Sequence, residues 1–311
     1  MIPEPRVSAR VQWRMIRGGP DTLRTCVIEP PDPGEEAPLV LAALGYRGCV
    51  DDFEIQRFRL IAAALRWRIL VVDTPGYGYS QARLNALQRR SLQRGDFRPL
   101  AADMVEAALG TVSELGDHRV SVMGYSLGAS SAAAIGRLVL EQGLVGSLER
   151  LVLVEPVAAR RWSLARLGLA NSAEAAKVDD YLGLNRRIDW AVPPTDRTAP
   201  GVLPRPSGSD MRAMILGLSC GELPRDVAGI LRLCPGLPVD VVYGDASRFT
   251  PADALTRLAG VADRAGGRPR LHRLTGAHHA LWHSLTHVER MTALLAGTAP
   301  EEPRSGEGGA W

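Results

Sequence analysis

The chain has 311 residues, 46% of them apolar and 23% charged, enough to bury a large core in one α/β domain or two small ones. Its formal charge is +3, Lys177 is the sole lysine, and no basic run carries interleaved aromatics, which argues against a nucleic-acid partner. No apolar run reaches the roughly 18 residues that span a bilayer, and MIPEPRVSAR at the start lacks a signal-peptide core, so a cytoplasmic protein off the membrane is expected.

Residues 7–18 and 22–30 alternate loosely about Gly18-Gly19-Pro20 and predict an antiparallel hairpin, followed by a turn at Pro30-Pro31-Asp32-Pro33-Gly34. Residues 37–44 form a continuous apolar run, the pattern of a strand buried on both faces of a parallel sheet, and close on Gly45-Tyr46-Arg47-Gly48. Apolar side chains at Phe53, Ile55, Phe58, Ile61 and Leu65 predict a helix over 51–67, and 68–72 is the next strand. It stops at Asp73-Thr74-Pro75-Gly76-Tyr77-Gly78-Tyr79-Ser80. A polar, arginine-rich connector then leads to a helix over 100–115.

Residues 118–131 read HRVSVMGYSLGASS. Val120 and Val122 favour a strand, Gly124-Tyr125-Ser126-Leu127-Gly128 a sharp turn, and the alanine- and leucine-rich run after it a helix. Strand, G-x-S-x-G, helix is the layout of a nucleophile elbow. Its serine stands on a strained turn, and flanking glycines let strand and helix approach without a Cβ between them. The amide of Leu127, at the helix N-terminus, is then placed to face a developing oxyanion.

A strand over 150–154 ends at Glu155-Pro156, and strands recurring with helices between them mean a parallel sheet covered on both faces. From 157 to 236 the strand rhythm breaks into short helical patterns and the proline-rich stretch 191–206. We read this segment as an inserted helical cap between core segments 1–156 and 237–297. The sheet pattern resumes with a strand at 238–243, a helix at 251–265, a strand at 268–274 and a closing helix at 279–295. Residues 298–311, rich in Pro, Glu and Gly, read as a disordered tail. The cysteines Cys26, Cys49, Cys220 and Cys234 lie far apart with no metal-ligand spacing and read as reduced thiols.

Several of these motifs, in this order, resemble the α/β-hydrolase-fold superfamily of esterases, lipases, epoxide hydrolases and dehalogenases. The resemblance runs from about residue 37 to 296, with only the cap generic. Where that family's oxyanion strand ends in His-Gly-x, this chain has Leu44-Gly45-Tyr46, which implies the Tyr46 backbone amide as second oxyanion donor. The family's Asp-x-Pro-Gly-x-Gly-x-Ser is reproduced in full by residues 73–80. The resemblance also implies a histidine in the loop Gly276-Ala277-His278-His279, and the count from Gly276 favours His279 over His278. Imidazole is the group that takes a serine proton and returns it near neutral pH.

The acid departs from the pattern. The family's Gly-x-x-Asp reads Gly244-Asp245-Ala246-Ser247 here, so a serine fills the acid slot. Two carboxylates compete for the role: Glu155, after the strand that follows the elbow, and Asp245, two residues early in the usual loop. A dyad with no acid is the third option.

Five tyrosines, Tyr46, Tyr77, Tyr79, Tyr125 and Tyr243, fall at predicted carboxyl ends of strands, the edge where open α/β sheets bind ligands, and Tyr181 lies in the cap. Tyr77, Tyr125 and Tyr181 are expected to line a substrate pocket. The cap's Arg160, Arg161, Arg186 and Arg187 are candidates for meeting a carboxylate or enolate.

Three readings follow. The first is hydrolysis of a carboxylic ester or thioester of a small molecule at a Ser126–His279–acid site, with neither metal nor organic cofactor. The second is a lyase or cyclase of the same fold in polyketide or natural-product tailoring, such as acetate elimination from an acylated tetronate. The third is a non-catalytic small-molecule receptor. A homodimer stays open.

Overall fold

A computed structural model describes residues 11–18, 21–31, 37–79, 83–112, 118–196 and 207–298. Strands β1 (Val11–Gly18) and β2 (Asp21–Ile28) form the expected antiparallel hairpin. Six more follow: β3 (Leu39–Ala43), β4 (Arg68–Val72), β5 (Arg119–Tyr125), β6 (Ser147–Val154), β7 (Val239–Gly244) and β8 (Arg270–Leu274). They build one eight-stranded sheet in the order β1-β2-β4-β3-β5-β6-β7-β8, parallel from β4 to β8.

The apolar runs end up buried on both faces because their side chains alternate between two cores. Leu39, Leu41, Ala43, Val120, Val122, Leu151, Leu153 and Val241 face one core, with α3 (Arg98–Thr111), α4 (Leu127–Gln142) and α9 (Ala252–Arg264). Val40, Ala42, Ile69, Val71, Met123, Val152 and Val242 face the other, with α1 (Asp52–Leu65) and α10 (Leu285–Ala296).

Between β6 and β7 lie α5 (Leu164–Ala175), α6 (Val178–Gly183), a 3-10 turn at Leu184–Arg187, α7 (Gly208–Cys220) and α8 (Leu223–Leu233). Helix α8 was expected within the cap. It instead packs on α4 and α9 through Leu223, Val227 and Ile230, in the layer that covers the sheet. The connector before α3 is also more ordered than its composition suggests. It contains α2 (Ala86–Leu92), started by a capping box in which Asn85 and Gln88 each accept the other's amide at 2.9 Å. Seven residues with few apolar positions are too short to show a period. The closing helix is broken into a 3-10 turn at His279–His283 and α10, because Ser284 caps α10 by accepting the His287 amide. Residues 7–10, 32–36 and 299–311, and the part of the proline-rich stretch over 197–206, lie outside the described residues. Among the described residues no helix is long and apolar enough to cross a membrane.

One charge cluster ties the last three strands together. Asp240 on β7 is fully buried and accepts from Arg150 on β6 (2.5 Å) and Arg270 on β8 (2.7 Å), and its other oxygen lies 2.6 Å from His272 Nε2. Burial alone would raise this carboxyl, but hydrogen bonds from His272, Arg150 and Arg270 outweigh it and hold it down at about 2. The folded value lies below the ordinary 3.8, so this contribution to stability is complete above about pH 4 and lost as pH falls towards 2. Asp240→Asn is expected to cost about 2 kcal/mol at neutral pH by removing the buried charge on which Arg150, Arg270 and His272 converge. Urea titrations at neutral and acid pH should show the mutant losing less than the wild type as pH drops through that window.

Candidate active site

The chain leaves β5 and enters α4 through Ser126, which sits at φ 58°, ψ −115°, a conformation that few side chains adopt. What holds it there is steric and local. A Cβ on Gly124 would lie 2.0 Å from the Gly128 carbonyl oxygen, and one on Gly128 would lie 2.2 Å from the Ala43 oxygen. Only glycine at both positions lets strand, helix and β3 close on one another. The Ser126 amide donates to the Val154 carbonyl (2.8 Å), so the β5–β6 ladder continues past the end of β5.

Glu155 repeats the arrangement one strand along. It follows β6 at φ 51°, and its amide donates to Val242 on β7 at 2.8 Å. Its carboxylate is fully buried. Oε1 accepts from the Gly244 amide (2.5 Å), and Oε2 accepts from the hydroxyls of Ser247 (2.6 Å) and Thr250 (2.9 Å). Oε2 also lies 3.0 Å from His279 Nδ1, and His279 Nε2 lies 2.9 Å from Ser126 Oγ. Serine, imidazole and carboxylate therefore form one hydrogen-bonded line, nearly closed to solvent.

Of the two carboxylates in competition, the structure brings only Glu155 to the imidazole. Asp245 is exposed, and its carboxylate accepts the Gly276 amide (2.6 Å), a turn-fixing bond that points away from His279. Of the two alternatives left open by the sequence, Glu155 is therefore the one in contact with the imidazole. The serine in the acid slot has a physical reason, because Ser247 donates to Glu155. A carboxylate there would put two like charges within hydrogen-bond distance in a buried site.

His279 comes from the 3-10 turn before α10. Its ring stacks on Tyr125 (centroids 5.3 Å apart) and takes the edge of Phe249 (4.5 Å). His278 points elsewhere, with Nδ1 3.7 Å from a Glu174 oxygen and its ring edge-on to Tyr181.

Three of the tyrosine hydroxyls are bonded to the backbone. Tyr125 is buried and donates to the His279 carbonyl (2.8 Å). Burial, then the charges of Glu155, Glu54 and Glu174, raise its hydroxyl well above the usual tyrosine value, so it is a neutral strut. Tyr77 is buried and donates to the Gly45 carbonyl (3.3 Å), and Tyr181 accepts the His278 amide (2.6 Å). Tyr243 lies in a groove between β8 and α9, and Tyr46 packs edge-on against Tyr77. Of the three tyrosines expected to line a substrate pocket, Tyr77 and Tyr125 thus donate their hydroxyl protons to backbone carbonyls, whereas Tyr181 only accepts an amide there. The cap arginines are also engaged outward or exposed: Arg160 pairs with Asp253 (3.1 Å), Arg161 reaches Glu222 (3.5 Å), and Arg186 and Arg187 face solvent.

The carbonyl of Gly45 accepts both Tyr77 Oη and the Gly48 amide (2.8 Å), which fixes the orientation of the Gly45–Tyr46 peptide. In a trans peptide the N–H points opposite the carbonyl, so the Tyr46 amide faces away from these donors. This peptide lies beside the serine, since a Cβ on Gly45 would be 3.5 Å from Ser126 Cβ. Leu127 opens α4, where first-turn amides have no helical partner. Among the described residues no group of three or more His, Cys, Asp or Glu side chains is placed to hold a metal.

Two participants were missed from the sequence. Thr250 stands before Pro251, just past the usual acid slot, and its hydroxyl carries no signal in the sequence that marks it as a donor to Glu155. Glu174 on α5 is buried and accepts the amides of Arg248 (2.6 Å) and His279 (2.9 Å). The signal for it existed: Leu167, Ala170 and Glu174 share one buried helix face at i, i+3, i+7, so a carboxylate occupies an apolar position.

A parallel sheet that carries a Ser–His–Glu line at its carboxyl edge, with helices inserted after β6, defines the class. The chain belongs to the alpha/beta hydrolase fold family, whose model matches residues 38–282. No curated protein sequence matches it. Among solved structures it is similar to a thioesterase domain from the curacin biosynthetic pathway, at 19% identity and TM-score 0.57 over 92% of this chain and 99% of that one. It is also similar to the N-formylmaleamic acid deformylase of Pseudomonas putida S16, at 16% identity and TM-score 0.56 over 91% and 100% of the two chains. An enol-lactonase from Burkholderia xenovorans LB400 matches at 18% identity and TM-score 0.55, over 89% and 96%. At these identities the likeness is one of fold.

If Ser247 donates to a buried carboxylate, Ser247→Ala should cost about 2 kcal/mol by removing a charged hydrogen bond. Asp245→Asn, at an exposed turn, should stay within about 0.5 kcal/mol of wild type. Urea unfolding of the two single mutants, side by side, checks the difference.

Proposed function

We propose that the protein is a serine hydrolase that cleaves a carboxylic ester or thioester of a small molecule in the cytoplasm. The observation that carries this reading is the continuous hydrogen-bonded line from Ser126 through His279 to Glu155, at 2.9 and 3.0 Å. Ser126 Oγ attacks the acyl carbon while its proton passes to His279 Nε2. Glu155 holds the Nδ1–H tautomer and stabilises the imidazolium that forms. The amides of Tyr46 and Leu127 receive the oxyanion. As the carbon–oxygen or carbon–sulfur bond breaks, the leaving group takes the proton back from Nε2. Water then attacks the acyl-serine, with His279 again as base, and the acid is released. The site needs no metal or organic cofactor for these steps. The names of the similar structures (thioesterase, deformylase, lactonase) all describe the cleavage of an acyl bond, which agrees with this reading.

Elimination or ring closure would draw on an imidazole without an acid, on free phenols at the strand ends or on free cap arginines. Glu155 now stands against the imidazole, the phenols of Tyr77, Tyr125 and Tyr181 bind backbone groups, and Arg160 and Arg161 pair with surface carboxylates. That reading has no observation of its own left, and neither does a receptor.

A fluorophosphonate probe should label Ser126 in the wild type and not in Ser126→Ala. An unlabelled but folded wild type would sink the proposal. With p-nitrophenyl acetate or a short acyl thioester, Glu155→Gln should lower kcat by about 10³- to 10⁴-fold through loss of tautomer control, whereas Asp245→Asn should leave kcat unchanged.

A further inference from the structure

We infer that Glu174, carried by the cap and not by the sheet, is a positioning residue for both the imidazole and the acid. Its anchoring bonds make the cap part of the catalytic frame. The inference rests on the hydrolase reading for its kinetic consequences, though not for the anchoring itself.

Three observations carry it. The first is where the carboxylate sits. The Glu174 side chain is only 4% exposed, on the α5 stripe where Leu167 and Ala170 are apolar, and the nearest ring nitrogen of His278 is 3.7 Å away. A buried carboxylate is costly unless hydrogen bonds or a counter-charge compensate it, so this position is expensive to keep for packing alone.

The second is what it holds. Oε2 accepts the amide of His279, the residue whose ring faces Ser126, at 2.9 Å. Oε1 accepts the amide of Arg248 at 2.6 Å. Arg248 stands between Ser247, which donates to Glu155, and Phe249, whose ring edge meets the imidazole. Thr250, the other hydroxyl on Glu155, follows two residues later. One carboxylate thus fixes both the peptide of the histidine and the loop that solvates Glu155.

The third is that the cap repeats the pattern. Tyr181 on α6 accepts the amide of His278 (2.6 Å), next to the one held by Glu174. Asn185 in the following 3-10 turn donates to the His283 carbonyl (2.8 Å) and accepts the Leu285 amide (2.9 Å). Three consecutive cap elements run along the histidine turn and meet its backbone group by group. A carboxylate oxygen on an amide makes a charge-assisted bond, stronger than a neutral pair.

Moving the imidazole by a fraction of its hydrogen-bond distance would change turnover more than substrate binding, because misplacement of about 1 Å is enough to cost about 10²-fold in rate. The test uses the full-length protein with four forms: wild type, Glu174→Ala, Glu174→Gln and Leu167→Ala. The last removes packing from the same helix face without touching an amide acceptor. Glu174→Ala is expected to lower kcat and the rate of fluorophosphonate labelling at Ser126 by about 10- to 100-fold, with KM within about threefold. Glu174→Gln keeps one acceptor and should fall between Ala and wild type. Leu167→Ala should lower the melting temperature while leaving kcat below that temperature unchanged. Amide hydrogen exchange, read on peptides covering 245–251 and 276–283, should rise in Glu174→Ala and not in Leu167→Ala. Unchanged kcat and unchanged exchange in Glu174→Ala, or an equal kcat loss in Leu167→Ala, would overturn the inference. Failure of the wild type to react with the probe would instead remove the hydrolase reading, and the exchange measurement then decides the anchoring by itself.

Discussion

Two backbone hydrogen bonds, Ser126 to Val154 and Glu155 to Val242, hold the rest of the site in place. Each extends a parallel ladder beyond the last regular residue of its strand, into a non-glycine residue with positive φ. Such residues cost about 1–3 kcal/mol apiece and persist only where their surroundings over-determine them. Here the determination is chained: β6 holds the serine, β7 holds the glutamate, and the Gly244 amide at the end of β7 donates to that glutamate's carboxylate. Ser126 and Glu155 are therefore set by sheet register and not by loop conformation.

The histidine lacks that support, and much of the surrounding structure supplies it from outside. Tyr125 donates to its carbonyl and stacks on its ring, and Trp282 in turn stacks on Tyr125 (centroids 5.1 Å apart). Further along the turn, the fully buried guanidinium of Arg57 donates to the carbonyls of Trp282 (2.8 Å) and His283 (3.0 Å), and Glu54 accepts the indole N–H of Trp282 (2.7 Å). Burial lowers Arg57 only to about 10, so it remains charged at neutral pH and its donors stay committed. Helix α1 thus fixes the far end of the histidine turn.

Much of this was readable in the chain. Uninterrupted apolar runs announced the central strands, because a strand covered on both faces needs apolar side chains at every position, and Gly124 and Gly128 announced a turn with no room for a Cβ. Which carboxylate meets the imidazole could not be chosen in advance. Glu155 and Asp245 both follow strands, and only the parallel pairing of β6 with β7 brings Glu155 under the loop that holds Ser247 and Thr250. The phenols misled for a related reason: strand ends collect tyrosines, but the carbonyls left unpaired there compete with any ligand for their hydroxyls. Helix α8 misled because its amphipathic pattern tells that one face is buried without telling against what.

The boundary between core and cap is also less functional than it looks from the connectivity. Sequence places 157–236 outside the sheet's rhythm, yet α8 covers the sheet, and α5 and α6 reach back to the histidine turn. Two carboxylates, from different layers, divide the work of holding His279: Glu155 meets the ring nitrogen and Glu174 the peptide nitrogen. One bond sets the tautomer and the other sets the position of the backbone from which the ring projects. Neither substitutes for the other, because a ring held only at Nδ1 can still pivot with its loop. An inserted helix that meets this loop's amides must therefore carry an acceptor where packing alone would ask for an apolar side chain, and Glu174 on the stripe of Leu167 and Ala170 is that acceptor.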